Sequence, residues 1–181
     1  MAYGSKKTSD GKEITADQTR TTPSVGIVND CTIKGVFELN DDKTVASITF
    51  VQPNGSEITH KEWISDDPAG IDDTNRRVKH ICTKLITEAE YDAMPEATGF
   101  VDFFTKVNNL IAGKTEGKFR MLFHYNNKGY TTIPRYPNFI EPMSVNPTRI
   151  TISKYVADRL VKPAAPKADP EMEVAADDFP F

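Results

Sequence analysis

The sequence predicts an α+β domain that is mainly β, with helices inserted between a third and a fourth strand. Three observations carry this prediction. Residues 24–64 hold three runs of alternating or β-branched residues separated by turn chemistry. Residues 72–113 switch to helical spacing, and residues 118–136 return to a strand pattern around an Asn-Asn-Lys-Gly turn.

The first strand begins near Val25 and continues through residues 32–39 (Thr-Ile-Lys-Gly-Val-Phe-Glu-Leu), broken by the Asn29, Asp30 pair. Gly26 and Gly35 mark where a bulge or sharp bend is expected, because only glycine enters such conformations without strain. Asn40, Asp41 and Asp42 are turn residues. Residues 44–51 (Thr-Val-Ala-Ser-Ile-Thr-Phe-Val) alternate and are β-branched, which predicts a second strand. Pro53, Asn54 and Gly55 make a hairpin turn into a third strand over 57–64. These strands form an antiparallel meander with a bent first member.

Asp72, Asp73 and Thr74 supply N-cap chemistry ahead of Val78, Ile81, Cys82, Leu85 and Ile86, spaced at 0, 3, 4, 7 and 8. After a breaker-rich stretch over 94–99, Phe100, Phe103, Phe104, Val107, Leu110 and Ile111 fall on one helical stripe, with Gly113 at the C-terminal stop. That stripe reads as core. Strand pattern resumes over 118–125, turns at residues 126–129 and returns over 130–136, where Pro134 puts the return strand at an edge or takes it out of the sheet. Residues 137–143 read as irregular, 149–153 as a short strand and 154–161 as a closing turn or short helix.

Strand, strand, strand, helices, strand, strand is the order of an OB-fold, a five-stranded Greek-key β-barrel with its helix between strands 3 and 4. The helical section is longer than one such helix needs, so an insertion is expected. No internal repeat or heptad points to a solenoid or coiled coil.

Composition narrows the class. The fraction of hydrophobic residues is 38% and of aromatic residues 9%, ordinary for a globular chain. The N-terminus lacks an apolar leader segment and no long apolar run is present, so a cytoplasmic location without membrane contact is expected. Cys31 and Cys82 are too few for a disulfide scaffold and read as buried thiols. His60, His80 and His124 lie far apart, with no metal or nucleophile motif. Asp66, Asp67, Asp72 and Asp73 read as solvent-facing caps rather than a Mg²⁺ site. No cofactor and no enzymatic activity is expected.

Three segments are predicted: a polar arm over 1–23, a domain over 24–162, and an acidic tail over 163–181. From Ala164 onward five acids face one Lys, while the preceding residues hold 21 basic and 21 acidic side chains, so the net charge of −4 lies in the tail. Such a segment has too little apolar surface to offset the entropy of ordering it. It ends in Asp177, Asp178, Phe179, Pro180 and Phe181. This ending resembles the acidic tip of the bacterial single-stranded DNA-binding proteins: Asp177 and Asp178 match its acids, Pro180 and Phe181 its terminal pair, and Phe179 stands where an aliphatic residue is usual. The resemblance is strict over five residues only and implies an OB-fold core with a partner-binding tip. A basic pocket that captures a carboxylate beside an apolar side chain would hold it.

The stretch 118–162 carries eight basic and two acidic side chains, interleaved with aromatic residues. Single-strand binders need a positive groove for phosphates and flat rings for unpaired bases. Alternation assigns Phe119 and Phe123 to the core. The candidate DNA-binding residues are Lys34, Lys61, Trp63, Arg120, Tyr125, Lys128, Tyr130, Arg135 and Tyr136. The expected function is sequence-nonspecific coating of single-stranded DNA, or RNA, in replication, recombination and repair of a phage-like system. The tip would recruit replication or recombination enzymes, and a homo-oligomer is compatible with the sequence. The competing reading is a non-enzymatic adaptor or virion component whose tail docks on an assembly partner.

Overall fold

The computed structural model of the protein describes residues 21–135 and 138–163. Along them run β1 (Gly26–Leu39), β2 (Val45–Val51), β3 (Glu57–Trp63), α1 (Pro68–Cys82), α2 (Glu88–Asp92), α3 (Phe100–Ile111), β4 (Phe119–Tyr125), β5 (Thr131–Thr132), β6 (Ile140–Pro142) and α4 (Lys154–Ala157). The strands pair antiparallel in the order β3-β2-β1-β4-β5, and β6 adds to β4.

β1 organises the sheet because it serves two partners in turn. Its first half pairs with β4 (Gly26 opposite Phe123, Cys31 opposite Phe119), and its second half with β2 (Thr32 opposite Val51, Leu39 opposite Ala46). Two register shifts make the hand-over possible. One lies between Val28 and Cys31, where Asp30 takes a φ of 58°; the other lies between Lys34 and Glu38, where Gly35 takes a φ of 73°. Both conformations are left-handed, which glycine adopts freely and Asp tolerates. The Asn29, Asp30 pair therefore bulges a continuous strand rather than breaking it. The second bulge takes Phe37 out of the ladder, and Asn108 of α3 replaces the missing partner. Its Nδ2 donates to the Phe37 carbonyl at 2.7 Å and its Oδ1 accepts from the Phe37 N–H at 3.0 Å. A side-chain amide here takes the place of a strand and ties α3 to the bend.

The predicted helix stripe packs on that bend. Phe104 is fully buried, with Phe37, Phe100 and Phe103 at centroid distances of 5.0, 4.9 and 5.1 Å. Gly113, with φ 71°, follows the last turn of α3 as the sequence predicts. α1 starts earlier than predicted. Asp67, not the 72–74 cluster, caps it by accepting from the Gly70 N–H, and Pro68 occupies the first turn, where its missing N–H costs nothing. The short α2, which the apolar spacing does not reveal, is nucleated by a capping box between Thr87 and Glu90.

β4 is buried on both faces. Phe119, Met121 and Phe123 enter the core as predicted, while Leu122 and His124 are covered by the segment after β5 and by α4. Two strand expectations are corrected. Residues 149–153 are not a strand: only Ile150 of the run is buried, and Ile152 faces solvent. The strand lies instead at Ile140–Pro142, within the stretch read as irregular. There the buried Phe139 and Ile140 hold the chain against β4, and Pro142 ends the pairing opposite Phe119. The expected mainly β, α+β arrangement is present, and the sheet differs from the five strands expected in their number. The sheet has six strands and is open. β5 is only two residues long and leaves the ladder before Pro134, so it approaches β3 to within 8 Å between Cα atoms without forming a ladder with it.

Candidate nucleic-acid interface

Pleating decides which residues of β3 reach solvent. Ile58 and Glu62 turn inward, whereas Glu57, Thr59, Lys61 and Trp63 share the outer face, opposite Val51, Thr49, Ser47 and Val45 of β2. Lys34 joins this face from β1, opposite Thr49. The structure thus brings Lys34, Lys61 and Trp63 of the sequence-predicted set onto one surface. Trp63 is 63% exposed, and Lys61 makes no ion pair among the described residues. Lys34 pairs with Glu57 at 2.9 Å in solvent, a contact of little energetic weight.

The inward Glu62 is the residue that sequence reasoning missed on this strand. It is 2% exposed and accepts from Arg77 Nε and Nη2, each at 2.6 Å, from Thr74 Oγ1 at 3.0 Å, and lies 2.8 Å from His60 Nε2. Burial raises its pKa; hydrogen bonds from Arg77 and His60, with their charges, outweigh that and hold the carboxyl at about 2. This network fixes α1 beneath β3, directly under the strand that presents Lys61 and Trp63. Its only sequence signal is a charge at an inward position, since Arg77 lies on another element.

The second group lies on the β4–β5 hairpin. Asn126 shapes the turn: its Oδ1 accepts from the backbone N–H groups of Lys128 and Tyr130, at 2.9 and 3.0 Å. Tyr130 is 69% exposed, Lys128 is exposed, and Tyr125 is half-buried at the end of β4. β5 begins immediately after Tyr130 and runs beside β3, which joins this group to the first.

Two other predicted residues are occupied differently. Arg120, expected at phosphates, is largely buried. It donates to Glu141 at 2.6 Å, Asn29 at 2.9 Å and the Val145 carbonyl at 3.1 Å, strapping β4 to β6 and to the bulge of β1. Arg135 is exposed and forms an ion pair with Asp73 of α1. Tyr136 and the tip residues Asp177, Asp178, Phe179, Pro180 and Phe181 lie outside the described residues.

The segment following β6 contributes residues that the sequence reading does not single out. Tyr155 of α4 is 54% exposed and carries the Arg159 guanidinium 3.9 Å from its ring centroid, with the His124 ring edge-on to it at 6.0 Å. Arg159 also donates to Asn127 of the hairpin turn at 2.8 Å, and its carbonyl accepts from the Tyr125 N–H at 2.9 Å. A tyrosine on a short capped helix, followed by an arginine just past its C-cap, is the available signal.

Several of the histidines and acids weighed for catalysis have structural partners. His80 is held neutral by burial, its pKa lowered to about 4, and its Nε2 accepts from the Asn138 N–H. Asp67 caps α1, and Asp72 and Asp73 pair with Arg76. Among the described residues no cluster of His, Cys, Asp or Glu is arranged to hold a metal ion, and no helix is long and apolar enough to cross a membrane.

No family model matches the chain, and neither a curated protein nor a solved structure matches it.

Proposed function

We propose that the protein binds single-stranded nucleic acid without sequence preference, through a partly open OB-fold whose binding surface is the outer face of β1–β2–β3 together with the β4–β5 hairpin. The observation that carries this reading is Trp63. A tryptophan left mostly in water at the end of a meander strand contributes far less to the core than a buried one would. Beside Lys61, it has the make-up of a base-stacking platform.

The topology supports the fold reading. A bent first strand shared between the meander and β4, helices between β3 and β4, and a returning strand that swings toward β3 are the features of that barrel. In OB-folds the face of strands 2 and 3 and the adjoining loops hold the ligand. Lys61, Lys34 and Lys128 would meet phosphates, and Trp63 and Tyr130 would stack on bases. The acidic tail would serve partner proteins and, being an anion like the strand, would also compete for the basic surface.

The test is the affinity of Trp63→Ala for labelled oligo-dT, read by anisotropy at low salt. Removing one stacking platform costs about 1–3 kcal/mol, whereas the exposed side chain should leave the melting temperature near that of the wild type. Equal affinity in wild type and variant would remove Trp63 from the interface.

A further inference from the structure

We infer that α4 and the residues flanking it form a second stacking platform for the same strand, centred on the Tyr155–Arg159 pair. The inference rests on the single-strand reading above and extends its surface to an element outside the barrel order.

The geometry points to a ligand rather than to packing. Val156 alone anchors α4 in the core, at 4% exposure, while Tyr155 turns outward on the neighbouring position. The phenol is nevertheless held, between the Arg159 guanidinium on its face and the His124 ring at its flank. Ordering an exposed tyrosine in advance removes part of the entropy that stacking would otherwise cost. The pair offers two planar groups, a phenol and a guanidinium, and bases stack on either kind.

The surroundings carry the charge such a platform needs. The chain passes over the hairpin turn after α4, so closely that a Cβ on Gly129 would lie 3.3 Å from the Lys162 side chain. Lys162 and Lys128 thereby flank the turn that carries Tyr130, and Lys154 adds a further exposed cation. Asp158 is the one acid between Arg149 and Lys162. Asn127 and the Tyr125 N–H pin Arg159 to the same hairpin, which ties this platform to the turn that carries Tyr130.

The experiment compares Tyr155→Leu, Tyr155→Phe, Arg159→Ala and Trp63→Ala for binding to a long oligo-dT, with the melting temperature of each recorded. Leu keeps an apolar side chain against His124 but has no flat ring, so Tyr155→Leu should bind roughly 5- to 100-fold more weakly, and Tyr155→Phe should bind like the wild type. Arg159→Ala should weaken binding and reduce the slope of log affinity against log salt by about 0.7 for each phosphate that Arg159 neutralises. Wild-type affinity in Tyr155→Leu and Arg159→Ala, with Trp63→Ala impaired, overturns this inference and leaves the single-strand reading standing. Absence of binding by the wild-type protein overturns the reading itself.

Discussion

Replacing Arg77 with Ala isolates the interaction that holds α1 beneath the proposed binding strand. The substitution strands a carboxylate that is 2% exposed, leaving Thr74 and His60 as its only partners. Breaking one side of a buried ion pair costs about 3–5 kcal/mol. Linkage gives an independent figure: a fall from the ordinary value of 4.5 to about 2 corresponds to about 3 kcal/mol of stability held by Glu62 at neutral pH. The sign of the pH dependence follows from the direction of the shift. A depressed folded-state pKa contributes stability above the unfolded value, and that contribution is lost as pH falls from about 4.5 toward 2. Arg77→Ala removes a hydrogen-bonding cation that lowers the Glu62 pKa, so Glu62 protonates more readily and the deficit shrinks on acidification. Urea denaturation followed by circular dichroism should show a loss of about 3 kcal/mol at pH 7 and a clearly smaller one near pH 3. A loss below about 1 kcal/mol at pH 7, or one that does not change with pH, would refute the assignment of Glu62 as a paired, buried anion.

The other predictions concern separate parts of the molecule. Arg120→Ala should destabilise the protein by about 3 kcal/mol in the same assay, because Glu141 is left buried without its cation; a loss confined to DNA affinity would contradict the strap between β4 and β6. Cys31 and Cys82 are both buried, and burial pushes each thiol up to about 12, so a thiol reagent should modify them slowly in the native protein and rapidly in denaturant. Fast native labelling of either would show that the core around it opens. Deleting residues 170–181 should leave or raise affinity for oligo-dT and abolish capture of a replication or recombination enzyme; retention of that capture would sink the partner role of Asp177, Asp178 and Phe181.

The β-meander was legible because its signals are local. Alternation and Pro-Asn-Gly turn chemistry place β2 and β3 within a residue or so of their observed ends, and the phenylalanine stripe does the same for α3. Signals that depend on distant partners were not legible. The start of α1 was misplaced because Asp72, Asp73 and Thr74 offer the same cap chemistry as Asp67, and only the fold shows that Asp67 accepts from the Gly70 N–H. Residues 149–153 carry a good β pattern with no strand to pair with, whereas the proline-flanked Ile140 and Glu141 gain theirs from β4 and Arg120. For the site, Lys61 and Trp63 lie two residues apart, so a shared face followed from the sequence. Whether that face looked inward or outward did not, because inward Glu62 depends on Arg77, fifteen residues away on a helix. Tyr155 is not legible as a site because its context, a short helix seated on a hairpin, exists only in three dimensions.

The proposed function stands or falls most directly on whether Trp63 meets an unpaired strand. Titrating the protein with oligo-dT while following tryptophan fluorescence, at low and at high salt, measures this. Trp63 is the only tryptophan in the chain, so the signal has one source. Stacking on Trp63 predicts quenching on addition of the oligonucleotide at low salt and its loss at high salt, as phosphate contacts are screened. An unchanged emission at low salt would contradict it.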